Sequence, residues 1–242
     1  MHNETYFLSE GNVLEAIQAG DKNGKSVVII LHGLECSKDV QIPEVTRLCD
    51  EGFFALTIDA PHHGSRNDGL IDLMKSKPRR EGYQLMLSTI FQEAQEVSML
   101  VKYFKEAGKK VCVGGISMGG YATYALMRMQ DKPDLFAPFL ANPDFRSGRY
   151  SDFPPSLAEI SGPADFVEDI YPASIFMFNG GSDKVVDPTG AREFYKKLKP
   201  LYKNCPEKLE YYEYPESDHL MRPEDWFDGW GKFINRLRRE GF

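Results

Sequence analysis

Residues 27 to 31 read Val-Val-Ile-Ile-Leu, an apolar run with no polar break. A strand with one face in water alternates apolar and polar residues, whereas a continuous β-branched run marks a strand buried on both faces. Such a strand needs helices on both sides of its sheet. The rest of the chain fits that frame. Residues 5 to 20 predict a short hairpin turning at Gly11-Asn12. A helix follows near residues 40–50 and stops at Gly52, and residues 53–58 form the next strand. Residues 82 to 107 predict a long helix, with Ile90, Ala94, Val97, Val101 and Phe104 on one stripe and Gly108 as its cap. Strands are expected at 111–113, 135–140, 175–178 and 209–214, and helices at 118–129 and 188–198. A last helix starts around Pro223 and buries Trp226, Trp230, Phe233 and Leu237, with Arg236, Arg238 and Arg239 near its C-terminal dipole. This order predicts an α/β fold with a mostly parallel sheet covered on both faces. Ligands in such sheets bind beyond the carboxyl ends of the strands.

The 242 residues, 42% hydrophobic and 27% charged, suit one α/β domain. Residues 141 to 172 are the longest irregular stretch. The net charge of −7 argues against nucleic acid as the main partner, because phosphate binding needs a basic surface. Cys36, Cys49, Cys112 and Cys205 are scattered, with no CxxC pair and no metal-ligand spacing, which predicts free thiols in a reducing compartment. The first residues show no signal-peptide pattern, and no apolar run reaches membrane-spanning length. The expectation is a cytoplasmic chain with no membrane partner, no metal and no cofactor.

Residues 115 to 119 read Gly-Ile-Ser-Met-Gly, between an expected strand and an expected helix. A serine at the apex of such a turn needs a strained backbone with chain passing close by, so Gly115 and Gly119 are required there. The turn lifts the Ser117 hydroxyl above the sheet edge, at a helix N-terminus that favours developing negative charge. The bland alternative is a glycine-rich turn with an N-capping serine. A phosphate-binding loop is excluded, since Tyr121-Ala122 stands where a P-loop carries Lys and Ser or Thr.

A serine hydroxyl needs a base. Of the five histidines only His219 follows Ser117, in the loop between the last strand and the last helix. Asp183, just beyond the strand at 175–178, is the chosen acid. Asp187 is its rival, with a competing role as a helix cap, and Asp218 adjoins the histidine. The N–H of Met118 and the N–H of Leu34, in the loop after the central run, are the candidate oxyanion donors. His32 is expected to brace that loop. The pair His62-His63 is expected to serve a loop role, with pocket lining second, because adjacent histidines point apart.

Together, "LHGL" at 31–34, "DAPHHGSR" at 59–66, "GISMGG" at 115–120, "GGSDKVVDP" at 180–188 and "SDHL" at 217–220 resemble the α/β-hydrolase fold along nearly the whole chain. Within that fold the chain resembles the small single-domain esterases related to dienelactone hydrolase and the prolyl oligopeptidase catalytic domain. The resemblance implies a Ser117–Asp183–His219 triad, oxyanion donors at Leu34 and Met118, and a small cap within 141–172. In that cap Phe145, Tyr150 and Phe153 are candidate substrate-binding walls. A serine nucleophile departs from the cysteine of dienelactone hydrolase itself. The expected activity is hydrolysis of a small carboxylic ester of short acyl chain through an acyl-enzyme. Thioester or amide hydrolysis by the same triad, or ligand binding without catalysis, are the alternatives.

Overall fold

The structure, a computed structural model, describes residues 1–8, 11–146 and 161–242. Eight strands form one sheet. They are β1 (His2–Phe7), β2 (Val13–Ala19), β3 (Ser26–Leu31), β4 (Ala55–Ile58), β5 (Lys110–Ile116), β6 (Leu135–Phe139), β7 (Ile175–Gly180) and β8 (Leu209–Tyr214). Their spatial order is β1-β2-β4-β3-β5-β6-β7-β8. The hairpin β1–β2 is antiparallel and joins β4 antiparallel, and every pairing from β4 to β8 is parallel.

The helices are α1 (Ile42–Asp50), α2 (Leu70–Ser76), α3 (Arg79–Glu106), α4 (Met118–Leu126), α5 (Val167–Ile170), α6 (Thr189–Leu198) and α7 (Pro223–Glu240). The central run divides by parity, as a two-sided strand must. Val27, Ile29 and Leu31 of β3 join the core layer shared with α3, α4 and α6. Val28 and Ile30 join the layer shared with α1 and α7. The same alternation sends Ile175 and Met177 of β7 to the first layer and Phe176 and Phe178 to the second.

Several details differ from the sequence reading. The turn of helix α2 lacks a long apolar period and was not expected. Trp226 of α7 is half-buried rather than buried, packed edge-on against Phe178 and Trp230, while Trp230, Phe233 and Leu237 are fully buried. Among the described residues, no helix is long and apolar enough to cross a membrane.

The sheet order creates the crevice that matters. From β3 the chain crosses to β4 on one side, and from β4 it returns to β5 on the other side of β3. The connections leaving β3 and β5 therefore diverge above the strand ends, at a topological switch point. Ser117 and Leu34 follow β5 and β3 respectively.

Candidate active site

Ser117 has φ +56 and ψ −114, a left-handed conformation that costs a non-glycine residue energy. The neighbouring glycines make that turn possible. A Cβ on Gly115 would lie 2.2 Å from the Gly119 carbonyl oxygen, and one on Gly119 would lie 2.6 Å from the Leu31 carbonyl oxygen. The elbow is latched to the sheet on two sides. The Ser117 N–H donates to the Phe139 carbonyl at 3.0 Å, and the Gly119 N–H donates to the His32 carbonyl at 3.0 Å.

His219 Nε2 lies 2.9 Å from Ser117 Oγ, and His219 Nδ1 lies 2.6 Å from Asp183 Oδ2. The carboxylate can only accept, so the proton sits on Nδ1 and the Nε2 lone pair faces the serine hydroxyl. Asp183 is held in place by its other oxygen, which accepts the N–H groups of Val185 at 2.7 Å and Val186 at 2.8 Å. Its side chain is fully buried, and that of His219 is 18% exposed.

The loops bearing the acid and the histidine are tied to each other. The Ser182 N–H donates to the Ser217 carbonyl at 3.0 Å, and the Gly181 N–H donates to the Tyr214 carbonyl at 2.7 Å. The two rival acids are engaged elsewhere. Asp187 accepts the Thr189 N–H at 2.9 Å at the start of α6, and Asp218 accepts the Leu220 N–H at 2.9 Å.

Gly33 brings the loop after β3 against the serine; a Cβ built on it would be 3.6 Å from Ser117 Cβ. His32 braces this loop. Its Nδ1–H donates to the Gly33 carbonyl at 2.8 Å, and its Nε2 accepts the Ala60 N–H at 3.0 Å. Burial holds the His32 pKa below the usual imidazole value, although the Gly33 carbonyl pulls it the other way. A neutral ring is what the Ala60 bond requires. Met118 opens α4, where a backbone N–H has no acceptor within its own helix.

The two adjacent histidines diverge. His62 Nδ1 pairs with Asp68 Oδ2 at 2.8 Å, while buried His63 uses Nδ1 to hold the Pro61 carbonyl at 2.8 Å. Both also border a cleft of about 190 Å³ beside the Leu34 loop, shared with Glu35, Cys36, Asn67 and Lys75. Among the described residues, no group of three or more His, Cys, Asp or Glu side chains is placed to hold a metal.

The expectation that Phe145 walls a substrate pocket is corrected. Phe145 is 1% exposed, with its ring packed against Phe91 and Tyr121, so it belongs to the core. Tyr150 and Phe153 lie outside the described residues. Arg146 pairs with Asp165.

The sequence reading missed Lys38 and Asp59, which form a buried ion pair beneath the Leu34 loop. The available signal was an aspartate ending the apolar strand "ALTI", a place where a charge needs a partner.

No protein-family model matches the chain. It is 22% identical over 231 residues to a Bacillus subtilis protein described as "Putative esterase YitV", across 84% of this chain and 88% of that one. Among solved structures it is similar to TT1662 from Thermus thermophilus, with a TM-score of 0.73 at 18% identity, covering 98% of this chain and 99% of that one. It is also similar to the Pyrococcus furiosus esterase Pf2001, with a TM-score of 0.68 at 19% identity, covering 98% and 92%. Strand order, the positive-φ serine elbow and these likenesses agree that the chain has the α/β-hydrolase fold.

Proposed function

We propose that this protein hydrolyses small carboxylic esters, of short acyl chain, through a Ser117–His219–Asp183 triad and an acyl-enzyme. The observation that carries the reading is the continuous line from Asp183 Oδ2 through His219 to Ser117 Oγ, at 2.6 and 2.9 Å. Hydrogen-bond reach from nucleophile to base and from base to an orienting acid is the geometry such catalysis needs. The likeness to proteins described as esterases supports the same reading.

In this mechanism the Ser117 hydroxyl attacks the ester carbonyl while His219 Nε2 takes its proton. Asp183 keeps the imidazole in the right tautomer and stabilises its charged form. The N–H groups of Leu34 and Met118 hold the oxyanion of the tetrahedral intermediate. His219 then protonates the departing alcohol. Water then attacks the acyl carbon while giving a proton to His219, and His219 passes that proton to Ser117 Oγ as the acyl–serine bond breaks and the acid leaves.

The test is labelling with a fluorophosphonate, which phosphonylates an activated serine and needs no assumption about the natural substrate. Wild type should label at Ser117, and Ser117→Ala and His219→Ala should not, by peptide mass mapping. Turnover on matched ester, thioester and amide substrates then separates these leaving groups. Absence of label on folded wild type would overturn the reading in favour of a binding protein.

A further inference from the structure

The Leu34 N–H lies on a loop that is fastened on both sides of that residue. Upstream, His32 accepts the Ala60 N–H. Downstream, Lys38 donates its ammonium to Asp59 Oδ2 at 2.5 Å and its own N–H to Asp59 Oδ1 at 2.8 Å. The two side chains are 11% and 2% exposed.

Asp59 is the hub of this arrangement. Its Oδ2 also accepts the Ser65 N–H at 3.0 Å and the Ser65 hydroxyl at 2.8 Å. Gly64, at φ +53, is pressed against it; a Cβ there would lie 2.1 Å from Asp59 Oδ1. Arg66 fastens the same segment to the sheet and to a long helix. It donates to the Asp59 carbonyl at 3.1 Å and forms a two-pronged pair with Glu96 of α3 at 2.6 and 2.7 Å. Burial alone would raise the Asp59 pKa, but the Lys38 ammonium and the Lys38 and Ser65 donors lower it to about 2. The carboxylate stays ionised across the neutral range.

A buried ion pair is a weak source of net stability, since apolar side chains of similar volume often do as well. What it supplies is direction: fixed donors on a fixed acceptor. Here the fixed point lies four residues beyond Leu34, and Glu35 between them already holds a left-handed φ of +64. Oxyanion stabilisation depends on donor placement to within a fraction of an ångström.

We propose that Lys38 and Asp59 are positioning residues that aim the Leu34 N–H at the oxyanion formed on Ser117, a role that rests on the ester-hydrolase reading above. They touch no reacting atom and act through the loop.

The experiment compares wild type, Lys38→Met, Lys38→Arg and Ser65→Ala. The measurements are kcat and KM on 4-nitrophenyl acetate, Ki for an alkyl trifluoromethyl ketone, and thermal melting. The ketone carbon accepts Ser117 Oγ, the serine proton passes to His219, and the resulting hemiketal oxyanion occupies the donor site. Lys38→Met should lower kcat roughly tenfold or more, a part of the loss that follows removal of a whole oxyanion donor. KM should stay within about twofold, and the ketone Ki should rise by the same factor as kcat falls. Lys38→Arg should recover most of both. Ser65→Ala, at an exposed position, should show a smaller shift of about threefold in the same two quantities, and it decides the matter if Lys38→Met does not fold.

An unchanged kcat and Ki in Lys38→Met or Ser65→Ala would overturn the proposal and leave the pair a purely structural one. A fall in kcat without a matching rise in ketone Ki would do the same. If wild type neither turns over the ester nor binds the ketone, the ester-hydrolase reading fails first and the proposal falls with it.

Discussion

Asp183 meets His219 with one carboxylate oxygen, at 2.6 Å, and spends the other on the backbone of its own loop. The two oxygens have separate tasks. One fixes the loop and one orients the imidazole. Asp183→Asn keeps the shape but offers an amide that can donate to Nδ1, which favours the wrong tautomer. Steady-state hydrolysis of 4-nitrophenyl acetate should fall by roughly 10³- to 10⁴-fold. Asp187→Asn, at the start of α6, should cost only a few-fold. Equal losses in the two variants would contradict the assignment of the acid.

Backbone space at the elbow gives a second expectation. Gly115→Ala would drive a methyl to 2.2 Å from the Gly119 carbonyl oxygen. Chemical denaturation should show a loss of about 3 kcal/mol or more, with activity gone. Gly52→Ala is the control: φ is +92, yet nothing lies within 4 Å of the added carbon. Its cost should be the conformational one alone, about 1 kcal/mol.

Glu93 of α3 is fully buried, and neither of its carboxylate oxygens has a hydrogen-bond partner among the described residues. Burial, then the nearby Glu96 charge, raises its pKa to about 8, against the opposing pull of Arg66. A carboxyl that holds its proton more tightly when folded makes stability fall as pH rises from the unfolded value near 4.5 to about 8. Wild type should therefore lose stability across that window, on the order of a few kcal/mol. Glu93→Met should lose much less. Denaturant midpoints at pH 5 and pH 8.5 measure the difference, and parallel curves for the two proteins would refute it.

His32 gives the opposite sign. Its folded pKa lies below the usual 6.5, so its stabilising contribution is complete above 6.5 and is lost as pH falls through the folded value. Protonation puts a hydrogen on Nε2, where the Ala60 N–H needs a lone pair. His32→Ala should cost about 1–3 kcal/mol at pH 7.5, the penalty for orphaning the Ala60 and Gly33 groups. The gap between variant and wild type should narrow below pH 6.5, by thermal melting across that range. A gap that widened on acidification would show that the ring is charged in the fold.

Much of the architecture was legible in local pattern. The run Val27 to Leu31 and the α3 stripe appear where periodicity puts them. The hairpin forms, but its first strand starts at His2 and its last pair is Phe7 with Val13, so the register is shifted toward the N-terminus from a turn at Gly11-Asn12. Strand ends moved by up to three residues: β4 begins at Ala55 rather than Phe53, and β5 runs to Ile116 rather than Val113. Helix α2 escaped because seven residues with mixed polarity carry no period. Phe145 was misread because an aromatic in an irregular stretch looks like a pocket wall until its neighbours Phe91 and Tyr121 are known.

For the site, the sequence alone determined which residue types stood at strand ends: the glycines around Ser117, the one histidine after it, and the aspartates between them. These follow from short-range sterics and chain order, which a linear string carries. Only the tertiary structure brings Asp183, rather than Asp187 or Asp218, against His219, and only it pairs Lys38 with Asp59. Those outcomes depend on which loops the reversal of strand order at β3 brings face to face, and on which carboxylate that juxtaposition carries to within hydrogen-bond reach of His219 Nδ1.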